Sequence, residues 1–274
     1  MSCFSAIILG LIQGVTEFLP ISSSGHLAVA QNLLGLSIEG VDDAFFDILL
    51  HLGTLAAVFA AYWEDLRRLA VAACSSVRDL GRPVPRSPQR HLLWMLVVGT
   101  LPLIAVLPVK DFVERLSGNM WFVGTALTVT GMLLFACDRV QKGRKSERTA
   151  TMLDALLVGV GQAIATVPGI SRSGMTICAG CFRGFERSFS VRFAFLLSIP
   201  AVLGANVLSI SDALAKGIEP ALLPVYGVGV LAAAISGYCS IVLVRFVTNK
   251  ARFDAFAYYC WAAGLVTLIL TFLQ

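Results

Sequence analysis

Two short polar stretches in an otherwise apolar chain hold the residue types that chemistry needs. The first, EFLPISSSGH at residues 17–26, puts a carboxylate, three hydroxyls and an imidazole within ten positions. The second, PGISRSGMT at 168–176, sets Arg172 between Ser171 and Ser173, with Thr176 one turn further on. A serine hydroxyl is a weak nucleophile until a base activates it. His26 stands three residues after Ser23, close enough for contact across one helical turn. His26 also suits protonation of a departing oxygen, and capping a helix is its structural alternative. A guanidinium is a planar fork of donors matched to phosphate, so Ser-Arg-Ser reads as a phosphate clamp. The structural alternative for Arg172 is a pairing with Glu17 that locks the two stretches together; a substrate would then displace part of that pair. Glu17 can orient His26 or help hold a divalent ion bridged by phosphates. Gln13 lies one turn back on the same helical face. The serines alone say little, because serines often cap helices.

The elements that must position these groups are membrane helices. The 274-residue chain is 57% hydrophobic and only 14% charged, with a mean hydropathy of +0.81. Soluble domains carry about 25% charged residues, so a polytopic all-α membrane protein is expected, with no nucleic-acid partner. Six segments are long and apolar enough to span, at about 17–25 residues each: 44–62, 92–109, 120–136, 189–210, 221–244 and 256–273. Two more are apolar but broken, 4–36 at Pro20 to His26 and 152–182 at Pro168 to Ser173. Backbone freed by such a break must be buried in protein or line a wet cavity. Both segments therefore read as re-entrant helix–loop–helix hairpins, each entering and leaving on one side. No cleavable signal sequence is expected, since the apolar start lacks a basic region and carries Gln13 and Glu17.

Charge sets the orientation. Loops 63–91, 137–151, 183–192 and 245–254 hold 17 of the 21 Lys and Arg; Lys110, Arg115 and Lys216 lie in the alternate connections, and Arg172 lies in the second hairpin. The positive-inside rule places those four loops in the cytoplasm. Segment 1–43, with Glu39, Asp42 and Asp43, and the C-terminus then lie outside. Hairpin one enters from outside, hairpin two from the cytoplasm.

The chain also repeats itself. At an offset of 149 residues, GLIQGVTEFLPISSSG (10–25) falls on GVGQAIATVPGISRSG (159–174), with six identities in 16 positions. Three spans follow each hairpin, and an odd number inverts the second half. The reading is a single membrane domain over 1–274, with a first repeat half at 1–140, an inverted half at 150–274 and a basic cytoplasmic linker at 139–149. Inverted repeats with broken helices place a site where the breaks meet, near the bilayer midplane. Half-helix N-termini there suit an anion.

Other candidates are blander. Asp47 and His51 share a face of the first span and are either functional or a pair closing the bundle. Asn206 reads as a helix–helix hydrogen bond. Cys178 and Cys181 form a CxxC without a second pair or a nearby His, and read as small apolar residues. No cluster suggests zinc.

QGVTEFLPISSSGH and PGISRSGMT resemble the signature motifs of the undecaprenyl-pyrophosphate phosphatase family of the bacitracin-resistance type, and the likeness runs over the whole chain. The resemblance implies removal of the terminal phosphate of undecaprenyl pyrophosphate. The product is undecaprenyl phosphate, the recycled lipid carrier of peptidoglycan synthesis, which links the enzyme to cell-wall formation, cell shape and bacitracin resistance. It implies catalytic roles for Glu17, Ser23, His26 and Arg172, and substrate binding by Ser171, Ser173 and Thr176. Gln13, Ser22, Ser24, Gly25 and Gly169 complete the expected binding set. Mg²⁺ or Ca²⁺ is the implied cofactor, with Glu17 as a ligand shared with substrate phosphates. Gln13 stands where the family often has Glu, which weakens a two-carboxylate metal site. The implied location is the bacterial cytoplasmic membrane with the active site on the outer face, among membrane lipids, and a homodimer is compatible. Ser23, His26 or water remain open as nucleophile. The alternative from another class is a transporter or flippase of the polyprenyl phosphate carrier. Lipid phosphatases with two catalytic histidines do not fit, because no His follows His91.

Overall fold

The computed structural model describes residues 2–36, 43–79, 87–140, 142–216, 222–250 and 253–273. Glu39, Asp42, Arg82, Arg86 and Arg252, used above to orient the chain, lie outside the described residues. Every described element is helical: α1 (Ser2–Phe18), α2 (Ser23–Asn32), α3 (Asp43–Ala61), α4 (Trp63–Arg78), α5 (Pro88–Thr100), α6 (Lys110–Arg115), α7 (Met120–Arg139), α8 (Met152–Ile164), α9 (Arg172–Phe182), α10 (Arg187–Lys216), α11 (Leu223–Lys250) and α12 (Asp254–Leu273). Five stretches among the described residues are long and apolar enough to cross a membrane, and the bent pair α3–α4 raises this to six.

Local chemistry fixes many of the ends. Ser87 caps α5, with Pro88 at the first position where no amide donor is needed. Beyond Thr100 the helix tightens into a 3₁₀ stretch, Leu101–Val109, which contains Pro102 and Pro108; proline removes a donor and crowds the preceding turn. Thr151 and Asp154 form a reciprocal capping box at the head of α8.

The basic segment 63–91, expected as a loop, is helical over most of its described length. Its α4 leaves α3 at an 84° bend. Leu66, Leu69, Ala70 and Ala73 recur at helical spacing along one side, while Arg67 and Arg68 point outward and share Glu64. The arginines hid the amphipathic period.

Small residues let the helices approach closely. A methyl group added to Gly10 or Gly14 of α1 would collide with backbone or side-chain atoms of α11 around Gly229, Ala233 and Ser236. Gly159 of α8 meets Gly99 of α5 in the same way, and Gly124 and Gly131 of α7 meet α12 at Gly264 and Trp261. This is the small-residue packing that lipid favours, where burial of apolar surface gives no drive for association. The pairings are reciprocal: α1 packs on α11 and α8 on α5, α3 packs on α11 and α10 on α5, and α7 packs on α12.

At the base of α8 a charged cluster ties down the connecting segment. Asp154 is fully buried and accepts from Lys145 Nζ at 2.8 and 3.0 Å and from Arg183 at 2.8 Å. Lys145 also pairs its backbone with Gly184 and Glu186 at 2.9 Å. The start of α8 and the end of α9 are thereby fixed to each other.

Candidate active site

Two interruptions meet in the middle of the bundle. Between α1 and α2 the chain turns at Leu19–Ser22, where Ser22 adopts a positive φ of 72°. Its hydroxyl caps α2 by accepting from the Gly25 amide at 3.2 Å. Between α8 and α9 the turn spans 165–171. Gly169 there has φ 90° and Ser171 caps α9 by accepting from the Gly174 amide at 3.0 Å. The two turns touch directly. The Gly169 amide donates to Ser24 Oγ at 3.4 Å, and Ser173 Oγ donates to the Leu19 carbonyl at 3.2 Å. A methyl on Gly25 would lie 3.2 Å from Gly169 Cα. Both glycines therefore serve close backbone approach, and Gly169 serves the turn as well. Thr130 of α7 braces the second tip, donating to the Gly169 carbonyl at 3.0 Å and accepting from the Ser171 amide at 3.1 Å.

Glu17 is the hub. One carboxylate oxygen accepts from Gln13 Nε2 at 3.1 Å and from Ser23 Oγ at 2.6 Å. The other accepts from the Arg172 guanidinium, which reaches it across 155 positions of sequence. His51 Nε2 stands 3.7 Å from the same carboxylate. The Glu17 side chain is 7% exposed while that of Arg172 is 24% exposed. A carboxylate so buried needs its partners, and the guanidinium keeps part of its surface open at the mouth of the site. Gln13 Oε1 is buried without a hydrogen-bond partner.

Ser23 thus bonds to Glu17 rather than to His26. The imidazole of His26 is held elsewhere. Its Nδ1 lies 2.7 Å from the Ser22 carbonyl and its Nε2 lies 2.8 Å from the hydroxyl of Tyr259 on α12. Ser22 Oγ and Ser24 Oγ are 3.4 Å apart, and Ser171 Oγ and Ser173 Oγ 3.2 Å apart. Thr176 turns its hydroxyl back to the Arg172 carbonyl at 2.8 Å and so braces α9 rather than facing the mouth. Asp47 accepts from Gln31 Nε2 at 3.0 Å, while the His51 Nδ1 bonds to the Asp47 carbonyl at 2.7 Å, not to its carboxylate. Among the expected residues, Gln13, Glu17, Ser23 and Arg172 are therefore in one hydrogen-bonded chain, and His26 stands in a separate pairing.

Tyr259 and Thr130 did not stand out in the sequence. Each is an ordinary residue of a spanning segment, and each finds its partner far away in the chain. Only the polar tip of each in an apolar run hinted at a role.

The arrangement brings together a guanidinium, two serine-capped helix N-termini, a hydroxyl on a carboxylate and an imidazole. Such a set can bind an anionic phosphoryl group and transfer it. Comparison with known proteins gives the same direction. A family model described as bacitracin resistance protein BacA matches residues 6–266. The chain is 44% identical over 267 residues to an undecaprenyl-diphosphatase of Syntrophotalea carbinolica, covering 96% of this chain and 97% of that one. It is 38% identical over 279 residues to an undecaprenyl-diphosphatase of Methanosphaera stadtmanae, covering 99% of both. A third, from Halothermothrix orenii, is 38% identical over 272 residues and 98% of both chains.

Proposed function

The chain belongs to the bacitracin resistance protein BacA family, and from that premise we propose that it is an integral membrane undecaprenyl-diphosphatase. It hydrolyses undecaprenyl pyrophosphate to undecaprenyl phosphate and phosphate, which returns the lipid carrier to cell-wall synthesis and counters bacitracin. The observation that carries the reading is the chain Arg172–Glu17–Ser23 at the meeting of two broken helices.

The substrate diphosphate supplies the anion that Arg172 awaits. Its terminal phosphate draws the guanidinium from Glu17, aided by the amides that begin α2 and α9. Glu17, freed on that side, takes the proton of Ser23, whose hydroxyl already points at it. Ser23 Oγ attacks the terminal phosphorus. The bond from that phosphorus to the bridging oxygen breaks, and its electron pair leaves with the lipid monophosphate. Water then attacks the phosphoserine; His26 accepts the water proton, and Ser23 Oγ departs and recovers its own from Glu17. Gln13, Ser22, Ser24 and Ser171 hold the tips in register around the phosphates. Ser173 and Thr176 support them from behind.

The residues present fit a divalent cation. Gln13 bonds to the Glu17 carboxylate through Nε2 and leaves its Oε1 a buried acceptor without a partner; that oxygen and the carboxylate are the hard donors that Mg²⁺ or Ca²⁺ prefers. Among the described residues no group of three His, Cys, Asp or Glu forms a complete protein cage, so substrate phosphates would complete the shell. The ion would offset charge on the phosphoryl oxygens.

For the whole chain, the proposal is six spans with α1–α2 and α8–α9 as hairpins inserted from opposite sides. The reciprocal pairing of α1 with α11 and α8 with α5 supports an inverted repeat. The mouth then opens to the outer face, and the prenyl tail lies along the bilayer. Purified protein in detergent should release phosphate from undecaprenyl pyrophosphate, and Arg172→Ala or His26→Ala should lower the rate by roughly 10²-fold or more. Absence of release by the unaltered protein would sink the reading.

A further inference from the structure

The Ser22 carbonyl can only accept, so the nitrogen 2.7 Å from it, His26 Nδ1, carries the ring proton. In the neutral ring Nε2 is then the lone-pair nitrogen. The group 2.8 Å away, the Tyr259 hydroxyl, must donate to it. The two rings lie 5.6 Å apart and nearly parallel, at 9°. Tyr259 is 46% exposed, so the pair is reachable from outside the packed core.

The placement of Tyr259 is fixed from both sides. Gly131 of α7 accepts α12 so closely that an added methyl would meet the Trp261 ring and the Ala257 carbonyl. Cys260, the next residue, is buried with its thiol 3.8 Å from the Pro20 carbonyl in the first tip. Helix α12 is therefore seated on the same brace, α7, that holds the second tip through Thr130. Its neighbour Tyr258 points elsewhere, against Phe135 and Trp261.

We infer that Tyr259 is a positioning residue for His26. Its phenol and the Ser22 carbonyl hold the imidazole at both nitrogens, select the tautomer with the proton on Nδ1, and keep the Nε2 lone pair on the phenol until the attacking water takes the phenol's place. The same hydroxyl can reverse. Once Nε2 has taken a proton, the phenol oxygen accepts from Nε2–H and the ring stays in place. The inference rests on the diphosphatase reading for its kinetic consequence, but the pairing itself can be tested without turnover.

The experiment compares wild type, Tyr259→Phe and Tyr258→Phe as purified full-length protein. Diethyl pyrocarbonate acylates an imidazole at its free nitrogen, and mass spectrometry separates His26 from His51 and His91. In Tyr259→Phe the His26 lone pair loses its phenol, and its acylation should quicken severalfold while His51 and His91 keep their rates. With undecaprenyl pyrophosphate, kcat should fall by roughly three- to tenfold, the scale of one hydrogen bond, with KM within twofold. Tyr258→Phe should match wild type in both. Unchanged His26 acylation in Tyr259→Phe would overturn the pairing, and faster acylation with unchanged kcat would overturn the positioning role. If wild type releases no phosphate, the diphosphatase reading fails, and the acylation comparison still decides the His26–Tyr259 pair.

Discussion

At the scale of single residues, Glu17 and Arg172 are bound to each other's needs. Removing Arg172 leaves a buried carboxylate without its cation, which destabilises by about 3–5 kcal/mol in buried pairs. Arg172→Ala should therefore lower both activity and thermal stability. Adding Glu17→Gln should restore most of the stability and none of the phosphate release, as read by a melting scan beside the assay; recovery of activity in the double variant would contradict the roles proposed. Ser23 gives a sharper chemical test. Rapid quench with labelled substrate should trap an acid-stable phosphoserine in wild type and none in Ser23→Ala. An acid-labile adduct would shift the nucleophile to His26, and no adduct would shift it to water. Gln13→Glu places a second carboxylate beside the first, 3.1 Å from it through the present amide. The concentration of Mg²⁺ for half-maximal activity should drop by roughly tenfold or more, and chelation should inhibit more deeply, because a hard cation binds carboxylates better than amides. These residues were legible because charge and hydroxyls are rare in apolar helices. Which hydroxyl met which base was not: Ser23 and His26 share the first turn of α2, but Ser23 bonds back across the Ser22 turn to Glu17 while His26 pairs with Tyr259.

At the scale of elements, the site depends on how two interrupted helices are held. Their breaks were visible as Pro, Gly and Ser in apolar runs, since freed backbone groups need company inside a membrane protein. The braces were not visible. Thr130 sits mid-helix in α7 and spends its hydroxyl on two backbone groups of the second tip, at 3.0 and 3.1 Å. Thr130→Val keeps the shape and strands both groups, a loss of about 1–3 kcal/mol for each buried polar group left unsatisfied. Melting temperature should fall and kcat should fall with it, because Gly169 and Ser171 carry the second helix start to the substrate. Thr128→Val, whose hydroxyl serves only its own helix at Gly124, is the control and should leave kcat near wild type. The helix α4 was illegible for another reason: its outward arginines suggested a loop, although Leu66, Leu69, Ala70 and Ala73 already kept a helical period.

At the scale of the whole molecule, packing and loop charge together bear on which way the chain faces. Helices far apart in the sequence pair, α1 with α11, α5 with α8 and α7 with α12. In the proposed inverted repeat two tips of opposite insertion meet, which accounts for Arg172 reaching Glu17 from 155 positions away. The offset of 149 residues shows the repeat in the sequence; it does not show which helices pair, because small-residue contacts carry no address until the helices are placed. Orientation follows from charge. The segment after α7 holds Lys142, Arg144, Lys145 and Arg148, and its base is clamped to Asp154; the connection before α7 holds only Lys110 and Arg115. A small epitope tag inserted after Gly118 should be reached by antibody on intact spheroplasts, and one after Arg144 only after the membrane is opened. With the first position outside, hairpin one enters from outside and the Ser24–His26–Tyr259 mouth faces away from the cytoplasm. Reversed labelling would turn the mouth inward, and the enzyme would then draw its pyrophosphate from the cytoplasmic leaflet. A tag that fails to label at either position is resolved by replacing the seven native cysteines with serine or alanine, adding one cysteine at Ser117, which is half-buried in the short turn before α7, and applying a membrane-impermeant maleimide. Labelling of that cysteine on intact cells is the outcome that the charge distribution requires.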